Sequence, residues 1–97
     1  MITRIVKLTV KPEAIEAFTT HYSIFKDYVL SQEGCHSLHL SQTTDGPSNV
    51  YYTFSIWGSE AALDAYRHTE KFKTEIWPSL KACFQERAEA ASFVKID

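Results

Sequence analysis

The chain has 97 residues, enough for one core and too few for two. Hydrophobic residues make up 44% and charged residues 23%, with only 3 Gly and 3 Pro, which argues against a disordered or collagen-like chain. A formal net charge of -2 lacks the basic footprint of a nucleic-acid binder, and no apolar run reaches the roughly 18 to 20 residues that span a bilayer.

The opening MITRIVKLTVKPEA breaks every apolar stretch with charge and so has no signal-peptide core. The expectation is a small soluble cytoplasmic domain covering residues 1–97. From Ile2 to Lys11 the residues alternate, with Ile2, Arg4, Val6, Leu8 and Val10 on one face, which reads as a strand. Pro12, which cannot donate to a ladder, ends it. From Glu13 to about Gln32, Ile15, Phe18, Tyr22, Phe25 and Val29 recur at three- and four-residue spacing, and this predicts an amphipathic helix. Gly34 is its natural stop.

His36–Gln42 and Asn49–Trp57 read as two strands joined through the turn-forming run Thr43-Thr44-Asp45-Gly46-Pro47-Ser48. The second of them, VYYTFSIW, is bulky on both faces, so each face should be covered. Ser59 is a candidate N-cap for a helix through His68, and Thr69 for one that buries Phe72, Ile76 and Leu80, kinked or restarted at Pro78. Alternation returns from Phe84 to Ile96 as a last strand.

This order matches the split βαβ plan of a ferredoxin-like α+β sandwich, a four-stranded antiparallel sheet with its helices on one face. Two short helices cannot cover the opposite face as well, so a second copy is expected there, giving a homodimer through the sheet face. Cys35 and Cys83 stand 48 residues apart with no CxxC, and are read as reduced, buried thiols rather than a metal or redox pair. No His or carboxylate cluster has metal-ligand spacing, and no phosphate loop or nucleophile elbow occurs.

Glu33-Gly34-Cys35 after a long helix, followed by WGSEAALDAYRHTEKFK from Trp57 to Lys73, resembles the antibiotic biosynthesis monooxygenase-like family of the dimeric α/β-barrel superfamily across almost the whole chain. The resemblance implies a pocket between sheet and helices, closed on the other side of the sheet by a second subunit. The expected enzymatic activity uses no metal, flavin or haem. Trp57 matches the pocket-lining Trp of polyketide-oxidising members. Their Asn four residues earlier is Thr53 here, and their Tyr six residues later is Leu63. A Glu common two residues before the Trp is Ser55, and the His nine residues after it in quinol- and autoinducer-type members is Tyr66. Tyr66, Ile76 and Val6 occupy the places of the haem-degrading Trp, His and Asn, so that pattern is absent.

Oxygenation of a phenol or hydroquinone without a cofactor needs substrate deprotonation, stabilisation of the resulting anion and a dry aromatic site. Histidine has the intrinsic pKa for the base, and the candidates are His21, His36, His39 and His68. His36 and His39 have opposite strand parity. Pairing Gln42 with Asn49 sets His36 beside Ser55 on the Trp57 face, whereas a one-residue slip reverses this. His36 is therefore the expected catalytic residue, with a merely hydrogen-bonded strand-end role as the alternative. Trp57, Tyr66, Tyr22, Thr53 and Ser55 are the expected substrate-binding residues, although Tyr22 and Tyr66 also suit the core. Arg4, alone on an apolar strand face, suits an anionic substrate group or a carboxylate partner.

The expected function is cofactor-independent monooxygenation of a small phenolic, quinol or polyketide-type aromatic. A non-catalytic small-molecule-binding or stress-response protein and a small-carbonyl isomerase are the alternatives.

Overall fold

A computed structural model describes all of residues 1–97. The chain runs β1 (Ile2–Thr9), a single 3₁₀ turn (Pro12–Ala14), α1 (Ile15–Leu30), β2 (Cys35–Gln42), β3 (Val50–Trp57), α2 (Glu60–Arg67), a π-helical turn (Phe72–Ile76), α3 (Trp77–Lys81) and β4 (Glu89–Val94). The four strands form one antiparallel sheet in the order β2-β3-β1-β4. The helices lie on one side, and the extents of 36 × 34 × 20 Å fit one sheet under one helical layer. The fold is thus the ferredoxin-like α+β sandwich, and no helix is long and apolar enough to cross a membrane.

Local chemistry sets the boundaries. Gly34 has φ +85°, and a Cβ there would come within 2.5 Å of the Ala62 side chain, so both backbone angle and space demand glycine where α1 turns into β2. Ser59 caps α2 by accepting the Ala62 N–H at 3.1 Å. Thr69 accepts the Phe72 N–H at 3.3 Å.

Pro78 has no N–H to offer Thr74, and the chain answers by loosening a turn before it. The Trp77 N–H reaches back five residues to the Phe72 carbonyl, and α3 then starts with Pro78 in its first turn. The kink expected at Pro78 is therefore taken up upstream.

The last strand is shorter than its alternation suggests. Phe84 is buried, bridges Val10 and joins the core beside Phe18, and the ladder begins only at Glu89.

Parity along the strands decides what each face carries. Ile2, Arg4, Val6 and Leu8 on β1 and Tyr51, Thr53, Ser55 and Trp57 on β3 point toward the helices. One buried cluster gathers Phe25, Val29, Leu38, Trp57, Leu63 and Ile76. A second gathers Leu8, Val10, Phe18, Tyr51, Cys83 and Phe84. Cys35 and Cys83 are both free thiols. The opposite face carries Ile5, Tyr52, Phe54, Ile56 and Phe93 with no helix over it, and Phe54 and Phe93 are 37% and 51% exposed.

Candidate functional site

Between the two clusters the helical layer stands off the sheet and leaves a cleft of about 900 Å³. Its floor is the helix-facing side of three strands, with Leu38 from β2, Thr53, Ser55 and Trp57 from β3, and Arg4 and Val6 from β1. Tyr22, Phe25, Lys26 and Val29 reach it from successive turns of α1, the spacing that puts side chains on one helical face. Leu63, Tyr66 and Arg67 come from α2. Sixteen of the 24 lining residues are hydrophobic, so a ligand here is recognised mainly by its apolar surface.

The rings form a continuous wall. Trp57 and Tyr66 are stacked at 5.3 Å between centroids, Tyr66 meets Phe72 edge-on at 5.0 Å, Phe72 stacks on Trp77 at 6.0 Å, and Trp77 meets Phe84 edge-on at 5.6 Å. All five rings line the cleft. Trp57 is almost wholly buried, and its indole N–H donates to the buried Ser55 hydroxyl at 3.0 Å. That bond fixes the indole plane and leaves the Ser55 proton free to donate.

Burial pushes the Tyr66 phenol far above its ordinary value, helped by Tyr28 and Cys35, and burial raises the Tyr22 phenol too. Both are therefore neutral donors at physiological pH and not phenolate bases. The Tyr22 hydroxyl is buried beside the cleft with no hydrogen-bond partner.

The structure brings Trp57, Tyr66, Tyr22, Thr53 and Ser55 together around one cleft but leaves out His36. The hairpin register differs from the expected one: Gln42 pairs with Tyr51 rather than Asn49, Leu38 stands opposite Ser55, and a bulge falls between Cys35 and Ser37. That bulge displaces His36 from the ladder, so it stands exposed near Gly58, and the expectation that it faces the cleft is corrected. His39 lies opposite Phe54 on the uncovered face. His21 stacks against Phe25 outside the lining, and His68 Nδ1 lies 2.7 Å from the Asp64 carbonyl at the end of α2. No histidine lines the cleft.

Sequence reasoning missed Phe72, Trp77 and Arg67 as cleft residues. Phe72 and Trp77 reach it because the π-turn rotates the helix by a residue, and Arg67 because it shares the α2 face with Leu63. The three-residue step from Asp64 to Arg67 was the legible signal for an oriented guanidinium, and the two side chains do form an ion pair. No group of His, Cys, Asp or Glu is placed to hold a metal ion.

The family model described as antibiotic biosynthesis monooxygenase matches residues 1–76. The chain belongs to this family. Among solved structures, a conserved protein from Methanosarcina mazei Go1 superposes with a TM-score of 0.90 at 27% identity, covering 99% of this chain and 94% of that one. A structure described as an antibiotic biosynthesis monooxygenase superposes at 0.89 with 22% identity over 100% of both chains. SnoaB, a cofactor-independent oxygenase from Streptomyces nogalater, superposes at 0.87 with 19% identity, covering 99% of this chain and 93% of that one. No curated protein sequence matches the chain. At these identities the named monooxygenase and oxygenase share the fold with this family member, and its chemistry is argued from its own cleft.

Proposed function

We propose that the protein is a cofactor-independent monooxygenase of small phenolic, quinol or polyketide-type aromatics, working as a homodimer joined through the uncovered sheet face. The observation that carries the reading is the aromatic-walled cleft with the unpartnered Tyr22 hydroxyl beside it. Family membership supports it.

A hydroquinone or anthrone reacts with O₂ once it has lost a proton and become electron-rich. For an anthrone, one oxygen atom enters the substrate as a carbonyl and the other leaves as water, all four electrons coming from the substrate. In this reading the substrate ring lies against the wall that Trp57 and Tyr66 form, and the apolar lining excludes water. The hydroxyls of Tyr22, Ser55 and Thr53 donate to the developing oxyanion, and neutral donors of this kind stabilise it most in a dry site. Since no histidine reaches the cleft, the proton leaves through its open side, where Glu86 is the one lining carboxylate.

Oxygen uptake with a panel of hydroquinones and anthrones tests the reading. Turnover is expected in the native protein, with a fall in W57F of about tenfold or more, the scale of losing one well-placed active-site group. Absence of oxygen consumption across the panel overturns it.

The lack of a histidine in the cleft favours a second reading, a binding protein with the same pocket and no turnover. A thermal shift on ligand addition without oxygen consumption selects that one.

A further inference from the structure

The apolar cleft has a cationic side that the oxygenation chemistry does not require. Arg4, Lys26, Arg67, Lys81 and Arg87 line it against one carboxylate, Glu86. Of these cations only Arg67 has an ion-pair partner, the exposed carboxylate of Asp64. Arg4 is half-buried on β1, and its guanidinium donates to the neutral Ser92 hydroxyl at 3.0 Å. The Arg67 Nε is buried and has no hydrogen-bond partner.

Two guanidiniums share this place. Burial, the largest effect, and the neighbouring Arg67 charge both hold Arg4 below the usual arginine value, while Asp64 opposes them. One carboxylate between two cations leaves an excess positive charge and an unused N–H donor beside an aromatic wall. An unpaired, partly desolvated guanidinium is costly, and guanidinium forks match carboxylate geometry.

We propose that Arg4 and Arg67 form a carboxylate-binding subsite, so that the preferred ligand is an aromatic acid whose ring lies along the Trp57–Tyr66 wall. The subsite deepens the proposed function by naming the substrate class, and rests on that reading only for which oxidation follows binding. A phenolate oxygen is a weaker match because it presents one oxygen where the two guanidiniums suit a two-oxygen anion.

Binding of 2-naphthoate and of its uncharged isostere 2-naphthamide, followed by calorimetry at pH 7 and low salt, tests the proposal without any turnover. The native protein should bind the naphthoate about tenfold or more tightly than the amide, the scale of a charge-assisted hydrogen bond. R4Q and R67Q should each erode the preference, with amide affinity held near the native value. Equal affinities in the native protein, or no naphthoate binding up to millimolar concentration, overturn the proposal, as does an undiminished preference in the double variant. Oxygen uptake is read separately: a carboxylate preference without oxidation removes the monooxygenase reading and leaves the subsite, whereas oxidation of neutral quinols without the preference does the reverse.

Discussion

Tyr22 concentrates the tension between stability and use in a single atom. Its hydroxyl is buried without a partner, and an unsatisfied buried polar group is destabilising. Y22F is therefore expected to raise the free energy of unfolding by roughly 1 kcal/mol in urea titrations. If the hydroxyl serves an oxyanion, the same variant weakens binding of phenolic ligands; a variant that loses stability contradicts the account. Tyr66 gives a pH signature. Its folded-state pKa lies above the unfolded value of 10.0, so the folded form holds its proton where the unfolded form has lost it. The stabilisation is complete below pH 10.0 and lost as pH rises from there toward the folded value. Alkaline unfolding should be shallower in Y66F than in the native protein above that pH, with equal slopes removing the assignment. Trp57 was expected as a cleft residue through the family resemblance, but its bond to Ser55 was not legible, because two residues of one face become hydrogen-bonded only once rotamers are fixed.

At the scale of elements, the junction between α1 and β2 carries the strictest local requirement. G34A places a side chain at positive φ and within 2.5 Å of the Ala62 methyl. The expected loss is about 2 kcal/mol or more in chemical denaturation, and a loss below about 0.5 kcal/mol contradicts it. Strand identities, helix caps and the long amphipathic helix were readable because each depends on neighbours a few residues apart. The hairpin register was not. Gln42 pairing with Tyr51 depends on where a ten-residue span closes and on a bulge at His36, and neither leaves a periodic trace. The two-residue shift in register keeps strand parity, so it is the unforeseen bulge that takes the expected base His36 out of the cleft. The π-turn before Pro78 was legible only as a disturbance, since proline announces the missing donor and not which upstream carbonyl compensates.

For the whole molecule, one sheet face is occupied by helices and the other is not. Ile5, Tyr52, Phe54 and Phe93 on that bare side are what the proposed homodimer would cover. Sedimentation velocity should give a dimer for the native protein at micromolar concentration, and F54E should shift it toward monomer by placing a charge in the seam. A native monomer removes the dimer from the proposed function. The order of elements made the one-sided helical layer legible in advance, and the two-sided bulk of VYYTFSIW added the expectation that the other face is covered too. Only the family resemblance implied a pocket between sheet and helices; its volume was not legible, because that depends on how far the helices stand from the strands. The chemistry of its walls was read where strand parity or a helical stripe assigned a face, as for Ser55 and Tyr22, and was missed at Phe72 and Trp77 in the π-turn region.

The edge strand β4 is thin on its helix-facing side, with Ala90 and Ser92 where its neighbours carry larger groups, and every residue in it is exposed. Lining residues from Glu86 to Ala90 mark where the hollow meets water. Under the proposed function, the small Ala88 and Ala90 side chains would set the width of that opening. On that reading, lengthening Ala90 to Leu is expected to weaken binding of fused three-ring compounds before single-ring ones, so the girth of an accepted ligand is set from the sheet's edge.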